Sequence, residues 1–310
     1  MIYLITNYLK RKIAICLLII IVLIISFTFP KINTTKTNYI NVNKMNIYLP
    51  TKYHYVSELS VSTKETNFKD IIKNKISYLT INSRESNYLP SIFNPIIPEN
   101  TEVLDLTIDN DIIKINFSKE LLNISEKYEN SLIESIIYTL TDNKEINEVM
   151  IFVEGNLLTN LPNSNIPLPT TLNRNYGINK IYQLDNIKNS QKTTIYYLSK
   201  EDDLTYYTPI TLVNNDTTPK IEIIINELKS NTINGTNLIS YLEASTNLLN
   251  YEILENQINL SFNAYIFDNL EEKSINEEVK YSINQSILDN YHISKVNYLY
   301  DNTLITSSNT

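Results

Sequence analysis

Two histidines, His54 and His292, are the side chains best suited by ordinary pKa to proton transfer near neutral pH. General-base work also needs an oriented partner, and the two histidines fall at unmatched points of the chain. His292 follows the pair Asp289-Asn290 and is expected on the surface, so neither is assigned a catalytic role. A zinc site would have to be built from these distant histidines with carboxylate help, because the single cysteine, Cys16, lies in an apolar run. The densest carboxylates are Asp109-Asn110-Asp111 and Glu201-Asp202-Asp203. Neither follows the spaced ligand loop that calcium requires, and both fall where turns are expected, which makes them solvated turn residues. Ser118 and Thr139 are possible nucleophiles by residue type. No Gly-x-Ser-x-Gly elbow surrounds Ser118, and a strand-end hydroxyl more commonly caps or turns the backbone. Only three glycines occur, Gly155, Gly177 and Gly235, which excludes Gly-rich phosphate loops and dinucleotide fingerprints. Gly155 is expected to supply positive φ in a turn after a strand. No catalytic, cofactor-binding or metal-binding residue is assigned, no cofactor is expected, and the chain is not read as an enzyme.

With no chemistry to position, the question becomes what the elements themselves build. The chain has 310 residues, 43% of them hydrophobic and 19% charged, enough for two globular domains of ordinary size. At the start, Lys10-Arg11-Lys12 precede IAICLLIIIVLIISFTF, an uncharged run over residues 13–29. A helix of that length covers about 26 Å, enough for a thin bilayer. The run ends in Ser26-Phe27-Thr28-Phe29-Pro30, a poor cleavage site, so an uncleaved transmembrane anchor is expected. The basic cluster keeps residues 1–12 in the cytoplasm and puts residues 31–310 outside, as a single-pass cell-membrane protein. Cys16 excludes an internal disulfide, and Ile13-Ala14-Ile15 before it lacks the small residue of a lipid-attachment signal. Removing the three positive charges of the tail takes the formal charge from −8 to −11, which disfavours nucleic acid and anionic headgroups as partners.

The exported part says nearly the same thing twice. Asp142, Asn143, Ile146 and Val149 recur in register as Asp289, Asn290, Ile293 and Val296. Upstream, NDIIKINFS (110–118) matches ENQINLSFN (255–263), and MNIYLP (45–50) matches TTIYYL (193–198). Three blocks in the same order with nearly constant offset define a tandem duplication.

Periodicity gives the elements of one copy. Residues 45–49 read as a strand, and 54–62 as a strand or loop. FKDIIKNKISYL (68–79) places Phe68, Ile71, Ile72, Ile76 and Leu79 on one helical stripe. Residues 103–108 and 112–117 form a hairpin, in which Ile113, Ile115 and Phe117 alternate with Lys114 and Asn116. A second helix covers 131–140, and 149–153 closes the copy as a strand. The expected class is α+β: two tandem homologous units, each a small mixed sheet with two helices on one face, behind an N-terminal transmembrane helix. The divisions are a tail (1–12), an anchor (13–29), a linker (30–44), unit 1 (45–158), a second linker (159–192) and a divergent unit 2 (193–305). The start of the second linker, TNLPNSNIPLPTT, has no period and is expected to be extended and surface-lying.

The stretch IPENTEVLDLTIDNDIIKINFSKELL, followed by SLIESIIYTLT and INEVMIFVEG, resembles the GerMN domain of the GerM family of sporulation and spore-germination proteins. The family features map to Pro98, to Asn116-Phe117-Ser118, to Thr139-Leu140-Thr141 and to Glu154-Gly155. PLPTTLNRNYGINK (167–180) resembles the segment just after the first unit in family members. In the second unit Ser286-Ile287-Leu288 and Asp301-Asn302 replace the corresponding motifs. The resemblance implies two units tethered to a bacterial cell membrane, similar in fold to ring-building modules. It further implies a structural role in the secretion-like assembly between mother cell and forespore. Some members are lipoproteins, whereas Cys16 here is misplaced for lipidation.

The leading expectation is a membrane-anchored extracytoplasmic assembly protein whose partners are envelope or sporulation-assembly proteins, with a ring or other oligomer as its form. The alternative is an exported ligand- or cell-wall-binding envelope protein using a groove between the units.

Overall fold

The computed structural model describes residues 43–309 apart from 144, 187, 231–235 and 292. The tail, the anchor over 13–29, Cys16 and His292 lie outside the described residues. No helix among the described residues is long and apolar enough to cross a membrane. The described residues form one compact unit that contains both copies of the repeat.

The first copy opens with β1 (Asn43–Pro50) and β2 (Val56–Thr63), paired antiparallel without a break from Asn43↔Thr63 to Pro50↔Val56. The ambiguous stretch 54–62 is therefore a strand from Val56 onward. Helix α1 (Phe68–Leu79) starts at Asn67, whose side chain accepts the Lys69 N–H at 2.9 Å, and it buries Ile72, Ile76 and Leu79. A hairpin of β3 (Val103–Asp109) and β4 (Ile112–Phe117) follows. Its alternation comes out as expected: Ile113, Ile115 and Phe117 are fully buried, while Lys114 and Asn116 are half-buried on the other face. Helix α2 (Glu129–Leu140) then crosses over to β5 (Glu148–Val153), which pairs parallel with β4. Glu154 and Gly155, at φ 48° and 77°, make the tight turn into the short β6 (Asn156–Leu157), so Gly155 supplies the positive φ expected of it.

After β7 (Ile181–Gln183) the second copy repeats the plan: β8 (Gln191–Glu201), β9 (Leu204–Asn214), α3 (Lys220–Lys229), β10 (Leu238–Ile239), β11 (Leu248–Ile253), β12 (Gln257–Phe262), α4 (Glu277–Asn290), β13 (Lys295–Tyr300) and β14 (Thr303–Asn309). Two four-stranded mixed sheets result, β3-β4-β5-β6 and β11-β12-β13-β14, each with one parallel pair bridged by a helical crossover.

Two expectations are corrected. Each copy does not keep its strands in one sheet. The first hairpin of each copy joins a shared sheet of order β1-β2-β9-β8-β10, with β7 paired to β9. A lone hairpin leaves both edges open, and joining two hairpins closes one edge of each. The start of the second linker, expected to lie on the surface, is mostly exposed but inserts two leucines into the core, and the rest of 159–192 adds two more core residues. Leu161, Leu168, Leu172 and Ile178 are buried. Its prolines prevent a long ladder, yet its backbone finds partners through the bridges Val149↔Leu172 and Asn160↔Pro167. The buried carboxylate of Glu129 in α2 also accepts the N–H groups of Asn163 and Ser164.

Candidate functional site

An edge strand carries a row of backbone N–H groups that need partners. β1 lies at the edge of the shared sheet, and α2 covers it. The Tyr48 N–H donates to Thr139 Oγ1 at 2.9 Å and the Asn46 N–H donates to the Asp142 carboxylate at 3.4 Å. The second copy does the same along the part of β8 that β10, paired only with Leu198 and Ser199, leaves open: the Tyr196 N–H donates to Ser286 Oγ at 2.9 Å and the Thr194 N–H to Asn290 Oδ1 at 3.2 Å. The repeated Asp-Asn pair and the hydroxyl three residues before it are thus an edge cap. Ser286, at a point where the family motif is lost, keeps the contact made by Thr139. The matching is by role: Asn290, not Asp289, stands where Asp142 stands, and Asp289 is left for another task.

That task lies where the two hairpins meet. The hydroxyls of Tyr48 and Tyr196, at equivalent positions of β1 and β8, are 3.2 Å apart. Ser57 and Thr208, on β2 and β9, also meet through their hydroxyls, at 2.7 Å. Equivalent residues meeting in this way mark an approximate twofold axis inside one chain. Around it is a buried polar network. Glu58, 3% exposed, accepts the Tyr48 hydroxyl at 3.0 Å and the Tyr281 hydroxyl on its other oxygen. The Tyr281 ring, from α4, stacks on Tyr207 with centroids 4.1 Å apart. Arg174, from the stretch between the copies, is ion-paired with Asp289. It donates to the Tyr196 hydroxyl at 3.0 Å, to Thr141 Oγ1 at 3.1 Å and to the Tyr138 carbonyl at 3.3 Å. Its guanidinium carbon lies 4.7 Å from the Tyr138 ring centroid. Asp289 also accepts the Tyr196 hydroxyl at 3.1 Å. Lys75, on α1, donates to Asp142 at 3.2 Å and to the Thr139 carbonyl at 3.0 Å.

Burial dominates the electrostatics here. It pushes the Glu58 carboxyl up to about 7, against the pull of the Tyr281 and Tyr48 hydroxyls and Arg174. Burial likewise raises Asp289, with Arg174 opposing. It lowers Lys75, with Asp142 opposing. Burial works against the charge on Arg174, but Asp289 and the surrounding tyrosines outweigh it and hold the guanidinium protonated. Burial keeps Tyr48 and Tyr196 as phenols, able to donate. The arrangement joins elements of both copies through mutually satisfied donors and acceptors.

The residues singled out by type stay in separate local contacts. His54 is exposed in the β1–β2 turn at φ 68°. Asp109 accepts Lys114 Nζ at 3.0 Å, and Asp111 accepts Asn147 Nδ2 at 2.8 Å. Glu201 pairs with Lys52 and accepts the Tyr53 hydroxyl at 2.7 Å, while Asp202 turns the chain at φ 50°. Ser118 Oγ accepts the Glu102 N–H at 3.0 Å. Among the described residues no group of three or more His, Cys, Asp or Glu side chains is placed to hold a metal. A polar surface groove of about 300 Å³ runs between α3 and β11, lined by Glu222, Ile225, Asn226, Lys229 and residues 247–251. Sequence reasoning missed Glu58, Lys75, Arg174 and Asp289 as a group. The available signals were the aligned Tyr48 and Tyr196, and Arg174 as one of only three arginines in a lysine-dominated chain.

Two copies of one α+β unit, fused at a shared sheet and held by a buried polar junction, define a tandem-repeat α+β protein. A family model described as "Germane: Sporulation and spore germination" matches residues 46–159. The chain is 28% identical over 243 residues to "Spore germination protein GerM" of Bacillus subtilis (strain 168), a match covering 76% of this chain and 66%, just under two thirds, of that relative. It is similar to the solved "Tandem GerMN domains of the sporulation protein GerM from Bacillus subtilis", with 25% identity and a TM-score of 0.75 over 84% of this chain and 91% of that one. A "Putative Lipoprotein from Clostridium perfringens", 21% identical over 44% of this chain and 90% of that one, has a TM-score of 0.29, too low to argue from. Residues 46–159 belong to this sporulation and spore germination family, and the chain as a whole is similar to the tandem GerMN domains of a GerM protein.

Proposed function

We propose that this GerM-type protein is anchored by residues 13–29, with residues 1–12 in the cytoplasm, and acts outside the membrane as a structural component through protein–protein contacts. One observation carries the reading: the polar groups that the two copies repeat are engaged in capping sheet edges, and the junction between them is filled. Some of the positions that are exposed in both copies are apolar. Each copy has a β-bulge in its outer strand, and the bulged residues, Leu104 on β3 and Leu249 on β11, are 47% and 66% exposed. Bulges deter strand addition at an edge, so these leucines serve better as contact points than as parts of a growing sheet. Two equivalent contact points on one chain suit head-to-tail assembly into a ring or filament. The name of the Bacillus subtilis relative supports placing this work in spore formation and germination. The exported ligand-binder reading is not favoured, because the expected groove between the copies is occupied by Tyr48, Glu58, Tyr196 and Arg174.

The test replaces Leu104 and Leu249 with Asp, singly and together, in the full chain expressed in a spore-forming host. Site-directed photocross-linking next to each leucine should give discrete protein adducts in sporulating cells, and the paired substitution should remove them and lower the yield of germination-competent spores. Adducts and spore yield unchanged by the paired substitution would overturn the reading.

A further inference from the structure

The two copies are joined by a thin seam. β1–β2 and β8–β9 are zipped over eight and eleven register pairs, whereas β2 and β9 share one, Glu58↔Tyr207. The other ties between the copies are made by side chains, among them the Tyr48–Tyr196 and Ser57–Thr208 hydroxyl contacts, Lys52 and Tyr53 on Glu201, Phe93 against Tyr206, and Asn179, whose amide donates to the Val56 and Pro209 carbonyls at 2.8 and 2.7 Å. The one residue that makes the backbone bridge also carries a buried carboxylate. Its oxygens receive one hydroxyl from each copy, Tyr48 from β1 and Tyr281 from α4.

We propose that Glu58 is a proton-operated latch between the two repeats, holding them rigidly together when protonated and loosening the β2–β9 seam when ionised. The groups that bear on it are Tyr48 from β1, Tyr196 from β8, Tyr207 from β9 and Tyr281 from α4, together with Asp142 beyond α2, Arg174 from the connecting stretch and Lys75 from α1. Four of these are phenols that burial keeps neutral. The two cations are engaged elsewhere, Arg174 by Asp289 and Lys75 by Asp142. Among the described residues no cation is hydrogen-bonded to Glu58, and an ionised carboxylate there is held by two phenol hydrogen bonds. Protonated, the same carboxyl keeps one acceptor oxygen and can itself donate to a phenol oxygen. The acidity of the group agrees, since burial places the carboxyl near 7 and so puts the change in the neutral range. The folded value lies above the ordinary one, so the stabilisation is complete below the ordinary carboxylate range and lost as pH rises through about 7. A loosened seam lets the two copies, and the surfaces they carry, reorient about Ser57 and Thr208. This inference does not depend on what those surfaces bind.

Amide hydrogen exchange of the full chain between pH 5.5 and 8.5, corrected for the intrinsic pH dependence of exchange, tests it. Peptides over 56–63 and 204–214 should exchange at least about tenfold faster at the higher pH, while those over 112–117 and 257–262, in the separate four-stranded sheets, should not change. Glu58→Gln should abolish the pH response. Tyr281→Phe removes a hydrogen bond that favours the ionised form, so it should move the midpoint to higher pH, and it decides the matter alone if Glu58→Gln does not fold. Equal protection of the seam at both pH values, a response that survives Glu58→Gln, or a midpoint unmoved or lowered by Tyr281→Phe would overturn the latch.

Discussion

Replacing Arg174 with alanine should be among the most damaging single changes available outside the apolar core. The substitution strips Asp289, whose side chain is 4% exposed, of its ion-pair partner, and removes donors from the Tyr196 hydroxyl, Thr141 and the Tyr138 carbonyl. Breaking a buried pair from one side costs about 3–5 kcal/mol, because the remaining charge is left uncompensated. The sign with pH follows from the same charge. Arg174 opposes the burial that raises the Asp289 carboxyl, so without it the folded value climbs further above the unfolded one. The variant should recover part of its stability at low pH and lose it again as pH rises through that raised value. Urea unfolding of the full chain at pH 5 and pH 8, with wild type alongside, measures both effects. A double variant, Arg174→Met with Asp289→Leu, removes both charges and should lie closer to wild type than Arg174→Ala. A single-variant loss below about 1 kcal/mol, or a loss no greater at pH 8 than at pH 5, would refute the reasoning that Asp289 is ionised and held by Arg174.

Phe117→Ala should destabilise by about 3–5 kcal/mol in the same unfolding assay, the usual penalty for deleting a large buried aromatic side chain. Thr139→Val keeps the shape but leaves the Tyr48 N–H without its acceptor, at a cost of about 1–3 kcal/mol, whereas Ser286→Thr should be nearly neutral because the hydroxyl remains. If residues 13–29 are an uncleaved anchor, mass spectrometry of the protein from membranes should find the N-terminus at Met1 or Ile2, and Cys16→Ser should fractionate unchanged. A diacylglyceryl group on Cys16 would reverse that expectation. Charge reversals on the surface of residues 45–158 should weaken partner cross-linking more than those in 193–305, as measured by adduct yield.

Much of the architecture could be read from local pattern. The alternation of Ile113, Ile115 and Phe117 and the stripe of Ile72, Ile76 and Leu79 are decided by burial within one element, and periodicity reports that directly. The shared sheet was not readable. Joining β2 to β9 depends on two hairpins separated by about 150 residues, and no pattern inside either hairpin says which edge stays open. The junction was hidden for a related reason. Glu58 falls in a stretch that reads as a strand or loop, Arg174 in the linker between the copies, and Asp289 in the repeated Asp-Asn pair, and only the tertiary fold desolvates all three. The edge caps fell in between. Their positions were visible in the repeat, but the register of roles differs by one residue between Asp142 and Asn290, so identity at equal offset gave the wrong partner.

The near-twofold arrangement of Tyr48, Tyr196, Ser57 and Thr208 would arise unaided in a dimer of identical subunits, but Arg174 would not fit there. It lies against the rings of Tyr48 and Tyr138 beside the axis, so an identical subunit would bring a second guanidinium to the same small, desolvated space. One peptide chain contributes the arginine once, from the stretch between the copies, and Asp289 of the second copy answers it. The covalent link therefore does more than raise the effective concentration of one half near the other. It permits a lopsided contact that no pair of equal partners could share, and so makes the duplication hard to undo: the two halves, expressed as separate chains, would each lack what the other now supplies.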